Sequence, residues 1–248
     1  MLAHTSNHIE KTAKLVPEDK ESHWSNVFAV WTAFIRAWFA FLRRIIMVSL
    51  GDQYRCPTGP QGRLIAARMN RHHEKLTLWG LTKITVGSEF VVLDVGCGGG
   101  KTVNRLAQLA PHGKVLGIDY SPDMVEFSKR INKTLIAENR VEIIEGAVEK
   151  MVFSDGFFDL ETAFETYYFW PNLADAFKEI RRVLKPSGKL LLVNELKYGA
   201  TPMKVIEETH VKLYPLEEIQ TLMQSTGFIG VQIFAEANSD WNAIVAKA

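Results

Sequence analysis

The chain has 248 residues, 47% hydrophobic and 23% charged, with a formal net charge of +1. That size suits one large α/β domain with an N-terminal extension, and near-neutrality gives no electrostatic reason to expect a nucleic-acid partner. Two cysteines, Cys56 and Cys97, make neither a disulfide framework nor a zinc spacing, so the expectation is a reducing cytoplasm and no bound metal.

Residues 1–23 are polar and read as a loose terminus. Residues 24–46, WSNVFAVWTAFIRAWFAFLRRII, are different. On a helical projection Ser25, Thr32, Arg36 and Arg43 line up within about 40°. Trp24, Trp31, Trp38 and Ile45 recur at steps of seven, and Phe28, Phe34, Ile35, Phe39, Phe41 and Leu42 widen that stripe. The pattern predicts an amphipathic helix. Arg36 and Arg43-Arg44 make it a poor membrane span, and Glu18, Asp19 and Glu21 before it argue against a signal peptide. Three roles stay open: a lid over a ligand cleft, peripheral contact with a membrane interface, or a homodimer face. As a lid it would hinge on residues 51–63 and bring Tyr54 and Arg55 to the ligand. Liposome sedimentation of the full chain against one starting at Gly51 discriminates, since equal behaviour would sink the membrane role. The extension is set at 1–60 and the main domain at 61–248.

Downstream, apolar runs and helical patterns alternate. Strands are predicted near 90–95, 114–119, 141–145, 158–164, 188–195, 228–235 and 241–247. Helices are predicted near 101–110, 122–138, 171–185 and 215–226. Ser121-Pro122 is a cap followed by proline at the first helical position, and Lys185-Pro186-Ser187-Gly188 is a helix stop and turn. Such alternation implies a mostly parallel sheet with helices on both faces. The polar turn 237–240 joins the last two strands as an antiparallel hairpin.

The densest signal is FVVLDVGCGGG, residues 90–100. A β-branched run ends in an acid and a glycine turn opens a helix, which places a small charged ligand at a strand's carboxyl end. A dinucleotide fingerprint starting at Gly96 and Gly98 needs a third glycine where Lys101 stands, and a P-loop ending at Gly100-Lys101-Thr102 needs one where Val95 stands. The loop instead fits D-x-G-x-G-x-G, as Asp94, Gly96, Gly98 and Gly100. In this it resembles the class I S-adenosylmethionine (SAM)-dependent methyltransferases. The likeness extends over about residues 60–248 and includes Asp119 and RRVLKPSGKLLLVNE.

The resemblance implies a Rossmann-like seven-stranded sheet, mostly parallel with a C-terminal antiparallel hairpin, and SAM as methyl donor. Glycines admit a close backbone approach. Asp94 would face the ligand's ammonium, beside Gly96, Cys97, Gly98 and Gly100. Cys97 reads as a small residue of the turn rather than a nucleophile. Asp119 would accept the ribose hydroxyls, with Tyr120 and Met124 alongside. In EGAVEKMVFSDGFFDL, Ala147 stands where the family usually carries an acid, so the adenine would rest on Ala147 and Val148; Phe153, Phe157 and Phe158 read as packing. Glu165, Tyr167, Tyr168 and Trp170 end the fourth strand, where cofactor and acceptor meet. Glu165, Tyr168 and His73 are the catalytic candidates, and Tyr54, Tyr167, Tyr168, Trp170 and His210 the acceptor candidates. His73 belongs to MNRHHEKLTLWGL, similar to the helix before the first strand in the family. His72 is a weaker candidate, and His112 sits in a turn away from this edge. The expected acceptor is an N, O, S or C nucleophile of a small molecule; the alternatives are a membrane-associated methyltransferase of a lipid or quinone-like acceptor, a non-catalytic SAM-binding protein and an NAD-dependent oxidoreductase. The expected location is cytoplasmic, with peripheral membrane contact as a variant.

Overall fold

A computed structural model describes residues 31–32, 34–38 and 53–248. Two compact units appear, residues 1–47 and 48–248. In the first, the described residues are helical, with Trp31, Phe34, Ile35 and Trp38 exposed. Trp24, Phe28, Phe39, Phe41, Leu42, Arg43 and Ile45 of the expected stripe lie outside the described residues. Among the described residues no helix is long and apolar enough to cross a membrane.

The second unit is a seven-stranded sheet in the order β3-β2-β1-β4-β5-β7-β6. The strands are β1 Val91–Val95, β2 Lys114–Asp119, β3 Val141–Glu145, β4 Phe158–Phe164, β5 Leu184–Asn194, β6 Ile229–Ala235 and β7 Asn242–Lys247. β1 to β5 pair in parallel and β7 runs antiparallel to both β5 and β6. The helices are α1 Gly59–His72, α2 Glu74–Leu81, α3 Lys101–Leu109, α4 Pro122–Ile131, α5 Lys133–Ala137, α6 Leu173–Val183, α7 Met203–Thr209 and α8 Leu216–Ser225. The chain leaves β1 toward β2 on one side and reaches β4 on the other. The strand order therefore reverses at the carboxyl ends of β1 and β4, where such sheets open a crevice.

The central strands read as unbroken apolar runs because both faces are covered. Successive side chains alternate between faces. Leu93, Leu190 and Leu192 join a core with Phe177 and Ile180 of α6, while Val92, Leu191 and Val193 join one with Leu76 of α2 and Val103 and Leu106 of α3.

Four local expectations are corrected. The helix expected over 122–138 breaks at Asn132, a buried residue whose amide donates to the Gly100 and Ser128 carbonyls, both at 3.0 Å. That side chain ties the glycine loop to α4 at the expense of helix continuity. The segment 69–81 breaks at His73, whose φ of −81° and ψ of 4° lie outside the helical region. The turn 185–188 lies inside β5 as an irregularity: pairing steps from Phe158–Leu184 to Leu160–Lys189, leaving extra residues on β5. Finally, residues 196–214, between the strand expected to 195 and the helix expected from 215, contain α7, a helix that was not expected there. Residues 53–60 group with the larger unit, where Gly59 N–H donates to Asp123 Oδ2 at 3.0 Å and Ser121 Oγ to the Pro57 carbonyl at 3.0 Å.

One core residue departs from the apolar pattern. Glu161, fully buried on β4 between Leu93 and Leu190, has no hydrogen-bond partner for either carboxyl oxygen among the described residues. Burial pushes its pKa well above the ordinary 4.5, and the Glu179 carboxylate adds to that, against the opposing Arg182 guanidinium. Below pH 4.5 the carboxyl is protonated folded and unfolded, so it carries no pH-linked penalty. As pH rises past that value the unfolded chain ionises while the folded chain holds its proton, and stability is lost. Glu161→Met is therefore expected to raise stability by about 1–3 kcal/mol near neutral pH, with the gain shrinking toward pH 4.5. Melting curves across that range check it; a gain independent of pH would refute the buried protonated carboxyl.

Candidate active site

The crevice is walled by the loops that follow β1, β2, β3 and β4 and by α1. Its floor is the glycine loop. Gly96 and Cys97 N–H both donate to the Ile118 carbonyl, at 2.8 and 2.9 Å, which pins the loop to β2. Gly96, Gly98 and Gly100 have φ of 69°, 49° and 74°, a region that favours glycine. Their surroundings differ. A Cβ at Gly96 would collide with Thr166, and one at Gly100 with Ser128, whereas at Gly98 no other atom lies closer than 4.0 Å. Gly98 therefore opens onto the cleft, while Gly100 packs behind it against α4 and does not line it.

Asp119 organises the next corner. Its Oδ2 accepts from Gly98 N–H at 2.8 Å and its Oδ1 from Ser121 N–H at 2.9 Å. Burial raises its pKa, opposed by those two bonds. Asp94 is also buried and accepts from Thr162 Oγ1 at 2.7 Å. Burial raises its pKa to about 7, reduced by the Thr162 bond and raised further by Asp119. Met124 and Tyr120 line the same cleft, and Tyr120 Oη donates to the Arg55 carbonyl at 2.9 Å, which anchors the segment carrying Tyr54. Burial holds the Cys97 thiol well above its usual range, so it is neutral. Gly146, Ala147 and Val148 form a further wall with no acid at Ala147.

The opposite end is built on Glu165. Its φ of 57° lies in the left-handed region, uncommon for a residue with a long side chain. The buried carboxylate accepts from Tyr168 Oη at 2.6 Å and from the Glu195 backbone N–H. Burial raises its pKa to about 7; His73 and the two hydrogen bonds oppose the shift, and the Glu195 carboxylate adds to it. His73 also lines the cleft, and its Nε2 lies 3.5 Å from Glu195 Oε1. Burial alone would lower the His73 pKa, but the Glu195 and Glu165 carboxylates outweigh it and raise it. Phe164, Phe169 and Trp170 complete an aromatic wall, and Tyr54 and Arg55 also line the cleft.

Three acceptor candidates do not face the cleft. Tyr167 and Tyr168 are buried in the core under α6 and α8 and are not among its lining residues. The strand ends in a turn of 3-10 helix, Tyr167–Phe169, which carries both rings inward and leaves Phe169 outside. Tyr168 reaches the site only through its bond to Glu165. His210 is exposed, closes α7 with φ of 54°, and also stands away from the cleft.

Residues 93–192 match the family model described as a methyltransferase domain. A sterol 4-C-methyltransferase of Caenorhabditis elegans is 30% identical over 115 residues, 46% of this chain and 34% of its own length. A demethylmenaquinone methyltransferase of Lactococcus lactis is 34% identical over 103 residues, 41% of this chain and 40% of its own length. The chain thus spans less than half the length of either relative. A solved SAM-dependent methyltransferase from Aquifex aeolicus shares the fold with a TM-score of 0.60 and 20% identity, covering 74% of this chain and 97% of that one. Residues 93–192 thus match a methyltransferase domain, on a fold shared with a SAM-dependent methyltransferase.

SAM is the cofactor of this methyltransferase domain, and the residues present fit it. Gly98 leaves open the space a side chain would fill, and two buried acids, Asp94 and Asp119, lie on the glycine-loop side of the cleft where a cationic, hydroxyl-bearing ligand can be held. Several lining residues escaped the sequence reading. Thr166 backs Gly96, and Asn70 Nδ2 donates to the Gly99 carbonyl at 3.4 Å. Phe169 and Thr77 also line the cleft. Asn70 sits three residues before His73, so the same helical face offered a signal. Glu195 had only its place at the end of β5.

Proposed function

We propose that this domain transfers a methyl group from SAM to a small apolar acceptor of the sterol or quinone type. The observation that carries the reading is the pairing, in one cleft, of an open glycine floor with an aromatic wall beside a buried carboxylate, Glu165. The relatives' names, a sterol and a demethylmenaquinone methyltransferase, support an apolar acceptor. In this reading Asp94 faces the ammonium, Asp119 binds the ribose hydroxyls through its remaining lone pairs, and Met124, Ala147 and Val148 pack on the adenine. SAM supplies a methyl carbon made electrophilic by its sulfonium. Phe164, Phe169, Trp170 and Tyr54 exclude water and align the acceptor for in-line attack. Glu165 orients the nucleophile and takes its proton, and Tyr168 acts as the positioning residue that holds Glu165.

Calorimetry on the full chain with SAM, S-adenosylhomocysteine and NAD tests the donor, and a screen of sterols, quinols, phenols, amines and thiols with methyl-labelled SAM tests the acceptor. Binding of the first two ligands and labelling of an apolar hydroxyl or ring carbon are expected. Binding of NAD alone would overturn the donor, tight SAM binding without transfer to any compound would favour a regulatory SAM-binding protein, and labelling of polar amines alone would overturn the acceptor class.

A further inference from the structure

His72 and His73 close α1, and Glu195 follows β5, 123 residues after His72. The fold nevertheless brings all three donor atoms within 4.8 Å of one another. Both histidine Nε2 atoms address the same oxygen, Glu195 Oε1, at 3.2 Å from His72 and 3.5 Å from His73. A charge-assisted hydrogen bond would draw in to about 2.7–2.9 Å. A tetrahedral zinc site has bonds of about 2.0–2.1 Å, which puts neighbouring donors about 3.3 Å apart. The two N···O separations fall close to the edges of such a polyhedron, and the hydrogen bond that His72 makes to Glu195 at 3.2 Å gathers the three donors at one point.

We propose that His72, His73 and Glu195 bind a divalent transition-metal ion, zinc being the best fit, at the rim of the methyl-transfer cleft. Two imidazoles and one carboxylate form a donor set that zinc uses in catalytic sites with one position left open. His72 is 66% exposed and gives an entry path from solvent, while His73 faces the cleft. The third ligand is held at its base, because the Glu195 backbone N–H donates to Glu165, itself fixed by Tyr168. Ordering of the residues around a ligand in this way is what metal affinity depends on.

The role of the ion rests on the methyltransferase reading; its binding does not. At the open position it would take the acceptor's hydroxyl or thiol and lower its pKa, as zinc does for water. The acceptor's proton passes to Glu165, and its oxygen or sulfur attacks the methyl carbon. The new bond forms as the S–C bond breaks, the electron pair stays on the donor sulfur, and the metal keeps its oxidation state.

The test uses the full chain, stripped with a chelator and titrated with Zn²⁺ by calorimetry and with Co²⁺ by visible absorption. One equivalent and a tetrahedral cobalt spectrum are expected. His72→Ala and Glu195→Gln should each weaken binding by about 100-fold or more, with SAM affinity unchanged in His72→Ala. His72 is mostly exposed, so its variant keeps the fold, which an unchanged melting curve verifies. Absence of stoichiometric Zn²⁺ binding, or binding that neither substitution weakens, overturns the site. SAM binding without Zn²⁺ binding removes only this inference; Zn²⁺ binding without SAM binding removes the donor reading and leaves the ion site standing.

Discussion

Asp119→Ala is expected to weaken SAM binding by about 100-fold or more, the largest single effect on the donor side. Two charge-assisted bonds to the ribose would each be worth about 1.5–3 kcal/mol. The same carboxylate also holds Gly98 N–H and Ser121 N–H at 2.8 and 2.9 Å. Its removal therefore frees Gly98, the loop glycine that opens onto the cleft, and loosens the start of α4. Asp119→Asn should fall between, since an amide can accept on one side but presents donors to an N–H on the other. Calorimetry with SAM and S-adenosylhomocysteine measures both variants. Wild-type affinity in Asp119→Ala would refute the ribose role and reduce Asp119 to a structural tie between two loops.

Glu165→Gln is expected to cut kcat by about 100-fold or more with the acceptor identified in the screen, while SAM affinity changes little. The position offers a second, sharper variant. Its φ of 57° disfavours any residue with a Cβ, by about 1–2 kcal/mol relative to glycine. Glu165→Gly relieves that strain and partly offsets the lost bonds to Tyr168 and Glu195, so a chain that melts close to wild type yet is as inactive as Glu165→Gln is expected. Retained turnover in both would sink the assigned role. A fold-only requirement would favour glycine here, and a carboxylate held in strained backbone at a cleft points to function.

The legible and illegible parts divide along physical lines. The glycine register, Asp119 and the alternating apolar runs could be read because each is local: a strand buried on both faces must be apolar, and a turn at positive φ favours glycine. The sheet and its terminal hairpin followed from those patterns and the structure has them. Tyr167, Tyr168 and His210 were expected in the cleft from the resemblance and do not line it. A strand's period of two stops meaning anything once the chain enters a 3-10 turn, so the facing of Tyr168 and Phe169 was set by packing under α6. Asn132, read as mid-helix, breaks its helix because its amide is used by a loop 32 residues away.

By itself, then, the sequence determined the class of sheet and the register of the glycine loop and Asp119 at the ends of β1 and β2, where the cleft opens, all of which depend on residues within a few positions of one another. Only the tertiary structure decided that Gly98 rather than Gly100 meets the cleft, that Tyr168 acts through Glu165, and that Glu195 joins His72 and His73. The last of these joins residues 123 apart, the others depend on how a turn or loop packs against its neighbours, and no periodicity along the chain carries that information.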